Sequence, residues 1–147
     1  MAFDNILCVC TGNICRSPLA QGLLQRALPH ATVSSAGIAA VEGGPMPQEA
    51  AVIAERDGLP LANHRGRQIT TPMANDAHLI IVMEKRQRDW LCNRFPQTRG
   101  RVLLLSHWSD GDDVADPFKK SQAFFDEIYD EIVCHTKAWI ENLAVMV

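Results

Sequence analysis

The chain has 147 residues and a formal charge of -3, with apolar residues at 47% and charges of both signs interspersed. That length suits one domain built on one core, the composition argues against wholesale disorder, and the charge gives no general reason to expect nucleic acid or an anionic membrane as partner. Met1-Ala2-Phe3-Asp4-Asn5 lacks the basic start of a secretory leader, and no run approaches the roughly 20 apolar residues of a membrane span, so no membrane insertion is expected.

In chain order, the apolar run 6–9 reads as a buried strand. The turn residues Thr11-Gly12-Asn13 follow, then Ser17-Pro18, which predicts an N-cap with proline at the first helical position. Leu19, Leu23, Leu24 and Ala27 recur at helical spacing up to Pro29. Residues 32–36 suit a second strand ended by Gly37, and a Gly/Pro-rich loop covers 42–47. A helix is expected over 48–56, stopped by Asp57-Gly58. Residues 78–83 contain Leu79-Ile80-Ile81-Val82, the continuous apolar run of a buried parallel strand. A helix over 84–94, a fourth strand over 102–105, a loop over 106–117 and a long helix over 121–143 complete the chain. Phe124, Phe125, Ile128, Ile132 and Trp139 of that last helix are available for the core.

Strands alternating with helices predict an α/β domain over 1–147, with a four-stranded parallel twisted sheet covered by helices on both faces. Ligands of such sheets bind outside the carboxyl ends of the strands, which is where the stretch after the first strand lies. That stretch is Cys10-Thr11-Gly12-Asn13-Ile14-Cys15-Arg16-Ser17: a cysteine, five residues, an arginine and a hydroxyl. Five intervening residues let the backbone curl with several N–H groups inward, and a ring of this kind opening into a helix N-terminus is an anion nest. Gly12 and Asn13 tolerate left-handed backbone. Arg16 offers a planar fork for two phosphate oxygens, and the same field favours a thiolate at Cys10, placed for in-line attack on phosphorus. Cysteine at the end of a buried strand is also a common small core residue, and the bare Cys-five-Arg spacing recurs by chance; the strand before it, the helix after it and the Gly-Asn pair inside it favour the nest. Zinc is disfavoured because Cys8, Cys10 and Cys15 lack paired spacing, and a Walker-type loop because its Gly-Lys-Ser/Thr ending is absent. No metal or cofactor is expected.

These residues resemble the low-molecular-weight protein tyrosine phosphatases across essentially the whole chain. The resemblance is carried by Val9-Cys10-Thr11-Gly12-Asn13-Ile14-Cys15-Arg16-Ser17-Pro18, Ser35-Ala36-Gly37, His64-Arg65-Gly66-Arg67-Gln68, Val82-Met83-Glu84-Lys85 and Asp116-Pro117-Phe118. Ser106-His107-Trp108 is similar to the bacterial branch found with capsule and exopolysaccharide synthesis. The resemblance implies Cys10 as nucleophile, Arg16 as phosphate clamp and Ser17 as the hydroxyl bonded to the cysteine sulfur. It implies Asn13, Ser35 and His64 as a network holding the loop in shape, and Phe118 and Val41 as pocket walls. Thr11, Gly12, Ile14 and Cys15 complete the phosphate-binding loop.

Cleavage of a phosphate ester needs a proton for the leaving oxygen, so a carboxylic acid is wanted above the loop. Asp110, Asp112, Asp113 and Asp116 are available. Pro117 stiffens the backbone beside Asp116 and Phe118 follows it, which favours Asp116, although Asp-Pro also commonly starts a turn. The family pattern strengthens Asp116, and Asp112 and Asp113 are expected to be a solvated turn. The wall opposite is aliphatic at Ile38, Ala39, Ala40 and Val41. A phosphotyrosine protein is the implied substrate, with a bacterial tyrosine autokinase of polysaccharide export as the first candidate.

Two rivals stand beside this reading. An arsenate reductase of the same fold needs two further cysteines to pass a disulfide outward, but only Cys92 lies in the relevant region, and Cys134 sits in the last helix without a nearby partner. A non-catalytic phosphotyrosine- or anion-binding module would have no need of Cys10 together with Asp116. The five cysteines are odd in number and unevenly spaced, which suits reduced thiols and a cytoplasmic location. Cys15 is near enough in sequence to pair with an oxidised Cys10.

Overall fold

The computed structural model describes residues 3–146. The strands are β1 (Asn5–Cys10), β2 (Thr32–Gly37), β3 (Leu79–Val82) and β4 (Val102–Leu104), and the helices are α1 (Arg16–Ala27), α2 (Gln48–Arg56), α3 (Thr71–Asp76), α4 (Lys85–Arg94) and α5 (Gln122–Met146). The strands form one parallel sheet in the order β2-β1-β3-β4, so β1 and β3 are central.

Strand side chains alternate between faces. On β1, Ile6, Cys8 and Cys10 belong to the larger core, whereas Leu7 and Val9 belong to the smaller one. The larger core is closed by α1, α2 and α5, through Leu23, Leu24, Ile53, Phe125, Ile128, Ile132 and Trp139. The smaller is closed by α3 and α4, through Ala74 and Leu91. Phe124 is only partly buried and packs on the rim.

Four local readings differ from the sequence expectation. The first helix starts at Arg16 with Cys15 at its cap position and no side-chain cap; Ser17 lies inside the helix, and its hydroxyl contacts Cys10 Sγ and Asn13 Nδ2. His78 lies outside β3; its Nδ1 accepts from the backbone N–H groups of Asp4 and Asn5 and ties the start of β1 to the segment before β3. Helix α3 was not anticipated: it has six residues, one of them buried, begun by Thr70 accepting from the Met73 N–H. The third and fourth strands are also shorter than the apolar runs that contain them, since Met83 and Leu105 are buried beyond the last ladder positions.

The loop after β4 is seated on α5. The His107 ring stacks on Trp139 at a centroid distance of 5.9 Å, Trp108 meets Trp139 edge-on at 5.7 Å, and the Ser109 hydroxyl lies 2.7 Å from His135 Nδ1. Trp139 itself donates from Nε1 to the Leu104 carbonyl at 3.3 Å. The segment bearing Asp116 therefore leaves β4 on a fixed base.

Candidate active site

At the carboxyl edge of β1 the chain turns through residues 10–16. Its carbonyls point outward to named donors: Ile38 N bonds Cys10 O at 3.1 Å, Ala39 N bonds Thr11 O at 3.0 Å and Val41 N bonds Gly12 O at 3.0 Å. His64 Nε2 bonds Asn13 O at 2.7 Å. A trans peptide carries its N–H opposite its C=O, so the N–H groups of Thr11, Gly12, Asn13 and Ile14 are turned to the inside of the curl. The Asn13 N–H shows this directly, reaching Cys10 Sγ at 3.3 Å. The first turn of α1 adds N–H groups with no helical acceptor. The segment after β2 can lie this close because Gly37 has no side chain: a Cβ there would sit 2.4 Å from Thr11 O.

Asn13 is the turning point, in left-handed backbone at φ 58°. That conformation costs an ordinary residue about 1–2 kcal/mol, and asparagine less. Four contacts oppose the cost. Besides the two above, its Nδ2 donates to Ser17 Oγ at 2.8 Å and its Oδ1 accepts from Arg67 N at 3.0 Å. At a net ~0.5–1.5 kcal/mol each, the hydrogen bonds win. Because Ser17 Oγ accepts from Asn13, its own proton is free for Cys10 Sγ, 3.0 Å away. The sulfur thus faces two donors at the base of the cleft, only 2% exposed.

Arg16 is equally buried. Its Nη1 donates to Glu84 Oε2 at 2.6 Å and to Val114 O at 2.7 Å, which uses both of that nitrogen's protons. Nε and Nη2 remain as one edge of the fork, free to grip two oxygens side by side. Glu84 loses hydration on burial, which works against its charge, but hydrogen bonds from Arg86 and Arg16 outweigh this and hold its carboxyl below the usual range. Gln87 closes the junction: its Oε1 accepts from Met83 N and Glu84 N, and its Nε2 donates to Thr11 Oγ1.

Asp116 lines the same cleft. Its Oδ1 accepts from Phe118 N at 3.0 Å, and its Oδ2 lies 3.7 Å from Arg16 Nη2. Asp113 is exposed, as the sequence predicts, and its Oδ1 also accepts from Lys85 N at 2.8 Å at the start of α4. With Val114 N on Met83 O at 2.9 Å, this fastens the segment bearing Asp116 to the chain just after β3. Asp110 fits the turn reading, its Oδ1 accepting from Asp112 N at 2.9 Å.

The cleft brings together Cys10, Thr11, Gly12, Asn13, Ile14, Cys15, Arg16, Val41, Asp116 and Phe118, with Ala39 on its wall. Ser17 lies beneath it. His64 reaches the loop directly, but Ser35 does not. The Ser35 hydroxyl donates to Gln21 Oε1 at 2.6 Å and its carbonyl accepts from Arg67 Nε at 2.8 Å, so it touches the loop only through Arg67. Burial, then the charges of Cys10 and Asp116, push the Cys15 thiol up to about 12. Cys92 lies on α4 and Cys134 on α5, on opposite faces of the sheet, and neither lines the cleft. Glu84, Gln87, Arg67 and Asp113 had no assigned role at the sequence level. Glu84 and Arg67 stood inside recognised motifs, and Glu84 also follows a buried strand at the ligand-binding edge of the sheet.

The family model for low molecular weight phosphotyrosine protein phosphatase matches residues 5–146. The chain is 39% identical over 141 residues to the probable low molecular weight protein-tyrosine-phosphatase AmsI of Erwinia amylovora, covering 96% of this chain and 98% of that protein. Its fold matches the tyrosine phosphatase Wzb from Escherichia coli K30 in complex with sulphate, at TM-score 0.92 and 38% identity over 96% and 99% of the two chains. It also matches the YwlE arginine phosphatase from Geobacillus stearothermophilus, at TM-score 0.89 and 32% identity over 96% and 93%.

Two outcomes follow from this geometry. Glu84→Gln keeps the side-chain shape but removes the charge that fixes Arg16. Loss of a charge-assisted hydrogen bond, about 1.5–3 kcal/mol, should lower kcat/KM for an aryl phosphate about tenfold or more, with little change in thermal unfolding. Rates close to the parent would show that Val114 alone positions Arg16.

The second concerns pH. Burial holds His64 below the usual histidine value of 6.5; the Asn13 hydrogen bond opposes this and the charges of Arg67 and Arg65 add to it. The unfolded chain therefore takes up a proton that the folded chain refuses. This contribution to stability is complete above about pH 6.5 and falls away as pH drops through the folded value. Urea unfolding at about pH 7.5 and about pH 5.5 should show a smaller acid loss in His64→Gln than in the parent. Equal losses would contradict it.

Proposed function

The chain belongs to the low molecular weight phosphotyrosine protein phosphatase family, and we propose that it hydrolyses phosphotyrosine through a phosphocysteine on Cys10, with Asp116 as general acid and then general base. The observation that carries this reading is the convergence, in one cleft, of a sulfur with two donors, an inward ring of N–H groups, the free edge of Arg16 and the Oδ2 of Asp116.

Phosphate enters the nest with its bridging oxygen outward. The loop N–H groups and Arg16 Nε and Nη2 hold the nonbridging oxygens, and Cys10 Sγ attacks phosphorus in line. The P–O bond to tyrosine breaks as the S–P bond forms, and Asp116 gives its proton to the departing oxygen. In the second step Asp116 takes a proton from water, the water oxygen attacks phosphorus, and the sulfur leaves with its charge received by Ser17 and the Asn13 N–H. Asp116 suits both steps because Phe118 N immobilises one carboxyl oxygen and leaves the other over the cleft.

Depth sets the substrate class. Cys10 is at the floor, whereas Val41 and Phe118 are 47% and 44% exposed at the rim. A phosphotyrosine spans that depth and lays its ring between these apolar walls; phosphoserine is too short. The same walls, with Ile14 and Ala39, suit an aryl ring better than a phosphorylated guanidinium. The placement of Cys92 and Cys134 on opposite faces argues against the disulfide relay of an arsenate reductase. A pure binding module would need neither the Ser17–Cys10 contact nor a carboxyl held above it. We assign the whole chain, 1–147, to this one domain and place it in the cytoplasm, where its thiols stay reduced. Among the described residues no helix is long and apolar enough to cross a membrane. The natural substrate is a phosphotyrosine protein; the Ser106-His107-Trp108 resemblance points to a bacterial tyrosine autokinase of polysaccharide export.

The test compares phosphotyrosine, phosphoserine and phosphoarginine peptides without added metal, in the parent and in Asp116→Asn. Turnover should be confined to phosphotyrosine. Asp116→Asn should slow it by ~10²–10⁴-fold, while activated aryl phosphates with low leaving-group pKa lose much less. Preferred turnover of phosphoarginine would overturn the substrate assignment. A leaving-group dependence that steepens in Asp113→Asn rather than Asp116→Asn would overturn the acid.

A further inference from the structure

The His64-Arg65-Gly66-Arg67-Gln68 segment does more than brace the loop. Behind Asn13, away from the catalytic cleft, lies a second polar cavity lined by Gln21, Ser34, Ser35, His64, Arg65 and Arg67. No carboxylate lines it. Among the described residues neither arginine has an ion-pair partner, whereas Arg16, Arg26, Arg56, Arg86 and Arg88 all do. Arg67 spends Nε on the Ser35 carbonyl and Arg65 spends Nη1 on the His64 carbonyl. Both Nη groups of Arg67 and the Nε and Nη2 of Arg65 remain unused. Two adjacent unpaired guanidiniums, a serine hydroxyl and an imidazole form a donor-rich, uncompensated positive site. The field is already felt at His64, whose protonation both arginines disfavour.

We infer that this cavity is a second oxyanion site, taking a tetrahedral phosphate group between Arg65 and Arg67 on the back of the catalytic loop. Arginine pairs of this kind match phosphate oxygens geometrically. The ligand reports on the loop through contacts already made: His64 Nε2 holds Asn13 O, and Arg67 N holds Asn13 Oδ1. An anion beside His64 favours its protonated form, which still donates from Nε2, so occupation tightens the brace rather than breaking it. The phosphate has two sources, the free product of the reaction or a second phosphoryl group on a multiply phosphorylated substrate.

The test adds inorganic phosphate to the enzyme in a phosphate-free buffer. The His64 ring proton and the Arg67 Nε–H are followed by NMR, and the competitive inhibition constant of phosphate against an aryl phosphate reports the catalytic cleft separately. In the parent, the His64 response should saturate at a concentration different from that inhibition constant. Arg65→Gln makes no change to any contact with Asn13; it should weaken the His64 response at least about tenfold, the loss of one charge-assisted hydrogen bond, and leave the inhibition constant unchanged. Arg67→Gln should act in the same direction. A His64 response that tracks the inhibition constant and survives in Arg65→Gln reports only the catalytic cleft and overturns the second site, as does no response. If phosphate fails to compete with substrate at all, the catalytic reading fails and the second site still stands on its own titration. A lower KM for a doubly than for a singly phosphorylated tyrosine peptide, lost in Arg65→Gln, assigns the anion to the substrate. Equal KM values with a His64 response assign it to free phosphate.

Discussion

The direction of four carbonyl groups governs this site. Cys10, Thr11, Gly12 and Asn13 each turn C=O away from the cleft because donors outside the curl are waiting for them: three backbone N–H groups from residues 38–41 and one imidazole. Peptide planarity then leaves the opposite N–H groups no choice but to face inward. The concentration of positive backbone dipoles that would receive a phosphate is thus set by what lies behind the loop. The extension of β2 serves as a template, and Gly37 keeps that template close enough. Donors within the chain fix these dipoles, and dipoles fixed in this way assist a reaction without reorganising during it.

A second junction sets the two remaining parts relative to each other. The end of β3 and the start of α4 hold Arg16 through Glu84, the loop hydroxyl of Thr11 through Gln87, and the segment bearing Asp116 through Met83 O and Lys85 N. Arg16 itself bonds Val114 O, two residues before Asp116. Arg16 and Asp116 are therefore held by one piece of backbone. Burying a guanidinium costs several kcal/mol in lost hydration; Glu84 and Val114 offset that cost while consuming only one nitrogen, so the gripping edge stays open.

What could be read from the chain follows from how local each signal is. Leu79-Ile80-Ile81-Val82 announces a buried strand because both faces of a central parallel strand are covered. The loop announced itself because its cysteine, glycine, asparagine and arginine sit within a few residues of one another. Helix α3 was invisible because its Thr-Pro-Met-Ala-Asn-Asp sequence is too short to show periodicity and buries one residue. Ser17 before Pro18 reads locally as an N-cap; its contact with the Cys10 sulfur, seven residues earlier, was implied by the resemblance alone. Asp113 is solvent-facing as read, but its bond to Lys85 N could not be read because that partner is 28 positions away. Glu84 and Arg67 could be quoted as motif residues, but their partners on Arg16 and Asn13 lie 68 and 54 positions distant, and only the fold brings them together. Ser35 shows the converse: a residue placed by resemblance in the loop network whose hydroxyl is turned to Gln21.

All of these constraints converge on one atom, the sulfur of Cys10, and the proposal is that it bonds phosphorus. The most direct measurement is acid quenching of Asp116→Asn during turnover of an aryl phosphate, followed by mass spectrometry of the proteolytic peptides. The account predicts a phosphoryl group on the peptide bearing Cys10, present during turnover and absent from Cys10→Ser treated in the same way. A phosphoryl group on another residue, or steady turnover in Cys10→Ser, would contradict it.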